Sequence, residues 1–156
     1  MKIRLIAVGT KMPAWVESGI LEYQKRLPAD FSLSVIEIPL AKRSKNSSTA
    51  SAIEKETRAL VAACDKYDFV VALDVKGKTL STEKLAEKIN KIKDSGRDIA
   101  LLIGGPDGFA NEHLEAVDDR WSLSALTLPH PLVRVVLVEQ IYRVWSVLNN
   151  HPYHRS

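Results

Sequence analysis

Three short stretches hold the residue types that carry chemistry. The first, Gly104-Gly105-Pro106-Asp107-Gly108, follows directly on the apolar run Ile99 to Ile103. Paired glycines after a strand let a backbone take unusual angles and approach a ligand closely, although a tight turn alone accounts for them equally well. The second is Trp121-Ser122-Leu123-Ser124-Ala125-Leu126-Thr127-Leu128-Pro129-His130-Pro131, apolar with small hydroxyl residues and ending in two prolines. Exposed, it makes a poor loop; buried, its amides and carbonyls need partners, which the edge of a heteroaromatic ligand supplies. The third is the ending Asn149-Asn150-His151-Pro152-Tyr153-His154-Arg155-Ser156. Two imidazoles, a phenol and a guanidinium suit stacking on a base, pairing with phosphate and moving a proton. A frayed polar terminus is the plainer account. His151 and His154 stand three apart, but Pro152 opposes the helix that would align them, so no metal site is expected.

Two other candidates weaken on inspection. Lys76-Gly77-Lys78-Thr79 contains the end of a phosphate-binding loop, yet Ala72 stands where that loop needs its first glycine. The dinucleotide pattern is also missing after the first strand, where Val8-Gly9-Thr10-Lys11 is found. The lone cysteine, Cys64, forms no internal disulfide and no zinc cluster, and helical spacing puts it in the core as a small apolar group.

The elements that must position these stretches follow from periodicity. Lys2 to Val8 reads as a strand ended by Gly9, Leu33 to Ile38 as a second stopped by Pro39, and Phe69 to Leu73 and Ile99 to Ile103 as strands buried on both faces. Between them run helices. Val16, Ile20, Tyr23 and Leu27 line one face before Pro28; Ile53, Thr57, Leu60, Val61 and Cys64 line another; Leu85, Ile89 and Ile92 follow the N-cap Ser81 and end at Gly96. A short helix near Asn111 to Val117, a strand at Trp121 to Leu123 and a long helix from Pro131 complete the chain. That last helix is apolar at nearly every angle, through Leu132, Val135, Leu137, Val138, Ile141, Trp145 and Leu148, and so is expected to be buried all round, partly against a second copy of the chain. Alternating strands and helices predict an α/β fold: one domain over 1–156, a mostly parallel sheet with helices on both faces, and ligand sites at the carboxyl ends of the strands.

Composition excludes several classes. The 156 residues are 46% hydrophobic and 26% charged, as in an ordinary globular domain. No apolar run reaches the length of a membrane span and no signal-peptide cleavage site opens the chain, so a cytoplasmic protein without membrane partners is expected. The net charge of +3 is uneven: residues 1–60 carry 10 Lys and Arg against 6 Asp and Glu, residues 61–120 carry 9 against 12, and residues 121–156 carry 3 against 1. A solvated surface accounts for this, and it is also weakly consistent with a polyanionic partner. Leu40 to Thr49, with Lys42, Arg43 and Lys45 among polar residues, reads as a mobile basic loop.

In combination, Leu-Leu-Ile-Gly-Gly-Pro-Asp-Gly at 101–108, Trp-Ser-Leu-Ser-Ala-Leu-Thr-Leu-Pro-His at 121–130, the His-Pro-Tyr-His-Arg ending and the opening Val-Gly-Thr-Lys-Met-Pro resemble the SPOUT methyltransferases over essentially the whole chain. The likeness is to the minimal members that methylate large-subunit ribosomal RNA; Ser156 departs from it, an acidic residue being expected there. The resemblance implies a C-terminal trefoil knot, a homodimer, S-adenosylmethionine as cofactor, and methylation of N3 of a pseudouridine in helix 69 of 23S rRNA within the assembled 70S ribosome. Carried onto this sequence, it implies cofactor contacts from Leu73, Gly104 and Gly105 and from Ser124, Ala125, Leu126, Thr127, Leu128 and Pro129. For the chemistry it suggests that His154 or Tyr153 assists deprotonation and that Arg155 and Arg4 hold phosphate or the imidate, one subunit's tail lying over the other's cofactor. Lys42, Arg43 and Lys45 are the remaining RNA-binding candidates. The competing reading is a non-catalytic module that binds a nucleotide or docks on the ribosome.

Overall fold

A computed structural model of the chain describes residues 1–45 and 48–155; Asn46 and Ser47 of the basic loop, and Ser156, lie outside the described residues. Five strands, β1 (Lys2–Val8), β2 (Ser32–Ile38), β3 (Phe69–Thr79), β4 (Ile99–Ile103) and β5 (Asp119–Ser122), alternate with α1 (Ala14–Gln24), α2 (Thr49–Ala62), α3 (Thr82–Asp94) and α4 (His130–Leu148). The sheet order is β2-β1-β4-β3-β5, and every neighbouring pair is parallel. All carboxyl ends therefore meet at one edge, the place where such sheets bind ligands.

Alternation along the strands divides the core. Ile3, Leu5 and Ala7 of β1, with Val71, Leu101 and Ile103, face α1, α3 and α4; Ile6 and Val8, with Val70, Ala100 and Leu102, face Leu60 of α2. The first layer is the thicker one, and α4 lies in it between α1 and α3. Helix ends follow local chemistry: Ser81 Oγ accepts the Lys84 N–H at 3.2 Å, as an N-cap serine does.

Five expectations need correction. The Asn111 to Val117 segment makes only one 3₁₀ turn, Asn111–His113, because Leu114 alone offers it a buried anchor. The last strand begins two residues early, where Asp119 pairs in register with Val71. The third strand does not stop at Leu73: after a break in register it resumes and pairs Lys78 with Trp121. Gly77 is thus a strand residue, pressed so close to the Arg120 and Trp121 backbones that a Cβ would fall 2.8 Å away, which makes the Gly-Lys-Thr run structural. Finally, α4 is not buried all round in the single chain. Leu137, Val138, Ile141 and Val144 are buried, whereas Leu132, Val136 and Trp145 are half-buried. Cys64 is half-buried rather than enclosed, and burial pushes its thiol up to about 11.

Candidate functional site

At the carboxyl edge, between the ends of β3 and β4 and the start of α4, opens a cleft of about 790 Å³, within the range that holds cofactor-sized molecules. One wall is Gly104, Gly105 and Pro106; the opposite wall is the segment from Leu123 to Pro129; Leu73 lies between. Of the nine residues expected here, all but Ala125 line the cleft, and Ala125 is exposed on the same segment. The two glycine-rich and apolar stretches, about twenty residues apart in sequence, thus form one site. Among the described residues, no backbone–backbone hydrogen bond involves 123–128. Serine hydroxyls serve two groups of this segment, Ser122 Oγ donating to the Ser124 carbonyl and Ser124 Oγ accepting the Leu126 N–H, both at 3.0 Å; its other amides and carbonyls have no backbone partner and are there to meet a ligand edge. Leu126, 73% exposed, is apolar surface waiting for cover.

The glycines act differently from expectation. Gly104 and Gly105 do not adopt positive φ; Gly108 does, at 79°. A Cβ on Gly104 would sit 3.1 Å from the Gly108 backbone, and one on Gly105 would sit 3.1 Å from Glu56 Oε1 and Val8 Cγ1. The pair is small so that the loop folds back on itself and on α2, and this folding sets the cleft wall.

Sequence reading missed the polar lining. Asp74, Lys76, Asn111 and Arg120 border the cleft, Arg120 donating to Asn111 Oδ1 at 2.9 Å and lying 3.8 Å from Asp74. Beneath them Asp119 accepts from Trp121 Nε1 at 2.9 Å and pairs with Lys78 and Lys88. Burial opposes its charge, but these partners outweigh burial and bring the carboxyl down to about 2. His130 also lines the cleft; burial, then Arg134, push its imidazole below the usual range, so it is neutral at pH 7. Arg134, 1% exposed, pairs with Glu37 at 2.7 Å and donates to the Gly9 carbonyl at 2.8 Å, fastening α4 to the end of β1. Charged residues within a helix give no sequence signal of such burial.

The tail is folded rather than frayed. A 3₁₀ turn, Pro152–Arg155, turns back on the C-terminal half of α4. The Tyr153 ring packs tilted against Tyr142, centroids 4.5 Å apart, and its hydroxyl donates to Glu139 at 3.0 Å, while Arg143 donates to the same carboxylate at 2.7 Å. Burial, Tyr23 and Glu139 push the Tyr153 phenol up, so at neutral pH it donates and does not take a proton. His154 Nδ1 lies 2.9 Å from Ser146 Oγ, and Arg155 is exposed. Within one chain the tail and cleft are apart. From Val133 at the cleft to Ser146 beneath His154, α4 rises about 20 Å, at about 1.5 Å per residue.

The basic candidates divide. Arg4 pairs with Asp65 at 2.9 Å and with the buried Asp68, on the α2 face of the sheet. Arg43 donates to the buried Glu56 at 2.7 and 3.1 Å and to Asp107 at 2.9 Å, bridging the loop after β2 and the glycine loop. Neither arginine presents its charge outward. Lys42 and Lys45 are exposed.

Fold and cleft define a class first: a parallel α/β protein with a nucleotide-sized opening at the carboxyl edge of its sheet. A family model described as "Predicted SPOUT methyltransferase" matches residues 1–154, and the chain belongs to the SPOUT methyltransferase family. Members of that family generally use S-adenosylmethionine. Among solved structures, the chain is similar to a methylase family protein from Haemophilus influenzae Rd KW20, with TM-score 0.55 and 14% identity over 97% of this chain and 67% of that one. It is also similar to a methylase family protein from Neisseria gonorrhoeae, with TM-score 0.54 and 16% identity over 90% and 81%. At such identities the likeness is one of fold. No helix among the described residues is long and apolar enough to cross a membrane.

Proposed function

We propose that the chain transfers a methyl group from S-adenosylmethionine to N3 of a pseudouridine in helix 69 of 23S rRNA on the assembled 70S ribosome, the activity of ribosomal RNA large subunit methyltransferase H. The observation that carries this reading is the cleft, whose walls join an apolar, amide-bearing segment to a glycine loop in a chain of this family. Leu73, Leu126 and Leu128 suit the faces of an adenine, and the backbone of 123–128, which makes no backbone–backbone hydrogen bond, suits its edge. The trefoil knot, the homodimer and the cytoplasmic location belong to the same proposal.

When bound, S-adenosylmethionine supplies an electrophilic methyl group; the protein's task is to hold the acceptor nitrogen in line and relieve it of its proton. If the imide titrates about two units above neutrality, that proton costs about 2.7 kcal/mol, within reach of one general base. Of the two tail residues considered, His154 is the better acceptor, because Tyr153 is held protonated against Glu139. Arg155 is exposed and suits phosphate or the imidate. A tail about 20 Å from its own cleft is best explained if it serves the cleft of a second copy, and the half-buried Leu132, Val136 and Trp145 of α4 offer that copy an apolar surface. RNA contacts in the basic loop are proposed for Lys42 and Lys45, both exposed.

The separation of tail from cleft also favours a second reading, a nucleotide-binding or ribosome-docking module without catalysis. Methyl transfer from radiolabelled S-adenosylmethionine to 70S ribosomes, free subunits and naked rRNA separates the two. Label at N3 of the helix 69 pseudouridine in 70S ribosomes is expected; binding of the donor with no transfer to any of the three favours the module.

A further inference from the structure

Ser146, on the inner side of α4, is completely buried. Its hydroxyl meets three polar atoms of the tail: the His151 carbonyl oxygen at 2.8 Å, the His154 backbone nitrogen at 3.1 Å and His154 Nδ1 at 2.9 Å. A hydroxyl has one hydrogen to give and two lone pairs to offer. The carbonyl of His151 has no hydrogen, so the one between it and Oγ is the serine's own. The backbone N–H of His154 takes one lone pair. What remains for His154 Nδ1 is the second lone pair, and that contact is a bond only if Nδ1 carries the hydrogen.

The neighbouring imidazole is held the other way. His151 Nδ1 accepts the backbone N–H of Tyr153 at 3.2 Å, which leaves its ring hydrogen on Nε2. Two histidines three residues apart are thus fixed as opposite tautomers, and only His154 has its unprotonated nitrogen at the outer end of the ring. The backbone adds a further tie, His151 N–H to the Ser146 carbonyl at 2.9 Å, so one residue of α4 fastens the whole return of the tail.

We infer that Ser146 is a positioning residue that locks His154 as the Nδ1–H tautomer and so presents Nε2, with its lone pair, as the proton acceptor for methyl transfer. The catalytic half rests on the function proposed above; the tautomer does not. In the step, Nε2 takes the proton from the acceptor nitrogen and the ring becomes imidazolium, with Nδ1–H still held by Ser146. The electron pair left on nitrogen forms the N–C bond, and the pair of the C–S bond departs with the thioether.

The test is a long-range proton–nitrogen correlation spectrum of the uniformly ¹⁵N-labelled full chain at a pH where both imidazoles are neutral, with assignments from His151→Gln and His154→Gln. Expected are a hydrogen-bearing Nδ1 on His154 and a hydrogen-bearing Nε2 on His151. Wild-type protein showing Nε2–H on His154 overturns the inference without any serine variant. Single-turnover methylation tests the role: Ser146→Ala is expected to slow transfer about tenfold with donor affinity unchanged, and Ser146→Thr, which keeps the hydroxyl, to recover most of it. Wild-type rates in Ser146→Ala overturn the positioning role. Absence of methylation by the wild-type chain defeats the proposed function and the catalytic half with it, while the spectrum still decides the tautomer.

Discussion

The two ends of α4 differ in kind. At its start lies a cleft with apolar walls and a segment free of backbone–backbone hydrogen bonds, in which the imidazole of His130 is pushed toward neutrality by burial and Arg134. At its end lie Tyr153, which donates to the Glu139 carboxylate that Arg143 also holds, and His154, which is held by Ser146. The difference teaches that one helix carries the cleft and the tail cluster about 20 Å apart, and under the proposed function a second copy joins them.

Breaking one half at a time sharpens the comparison. Replacing His154 with Ala is expected to reduce single-turnover methylation about a thousandfold while donor affinity, read by calorimetry, stays put. Gly104→Val, whose Cβ alone would lie 3.1 Å from the Gly108 backbone, should do the converse and weaken donor binding about a hundredfold. Mixing these two inactive proteins should restore roughly a quarter of wild-type activity, since half of the dimers then carry one intact composite site. No recovery after demonstrated exchange of subunits would place tail and cleft in the same chain.

Stability effects come next. Arg43→Ala leaves Glu56 buried without its cation and should cost about 3 kcal/mol in denaturant unfolding. Asp119 has a folded pKa of about 2, below its ordinary 3.8, so its stabilisation is complete above the ordinary value and fades as pH falls toward 2. Asp119→Asn should therefore cost about 2 kcal/mol at pH 7, and its difference from wild type should shrink as pH falls below 3.8 and vanish only below pH 2. The smallest effect belongs to the exposed lysines: neutralising Lys42 and Lys45 should lower the slope of log affinity against log salt for ribosomes by about 2 and leave donor binding unchanged.

Much of this architecture was legible in local pattern. The alternation of Ile3, Leu5 and Ala7 against Ile6 and Val8 located β1, and the glycine loop and proline-closed segment marked both walls of the cleft. Long-range pairing was not legible. Nothing local marks Arg134 or Glu56 for burial; their partners Glu37, the Gly9 carbonyl and Arg43 are distant in sequence and meet them only in space. For the same reason counting formal charge overstated the basic surface, because Arg4 and Arg43 are already neutralised by Asp68 and Glu56. The glycine pair was noticed for its freedom of angle, yet it is needed for close contact with Gly108, Val8 and Glu56.

The central claim is that the opening between Gly104 and the 123–129 segment receives the adenosyl group of the methyl donor. A crystal structure of the chain with S-adenosylmethionine addresses it directly. Density for adenine between Leu73, Leu126 and Leu128, against the backbone of 123–128, is the predicted result; an empty cleft with the donor bound elsewhere on the chain would contradict it.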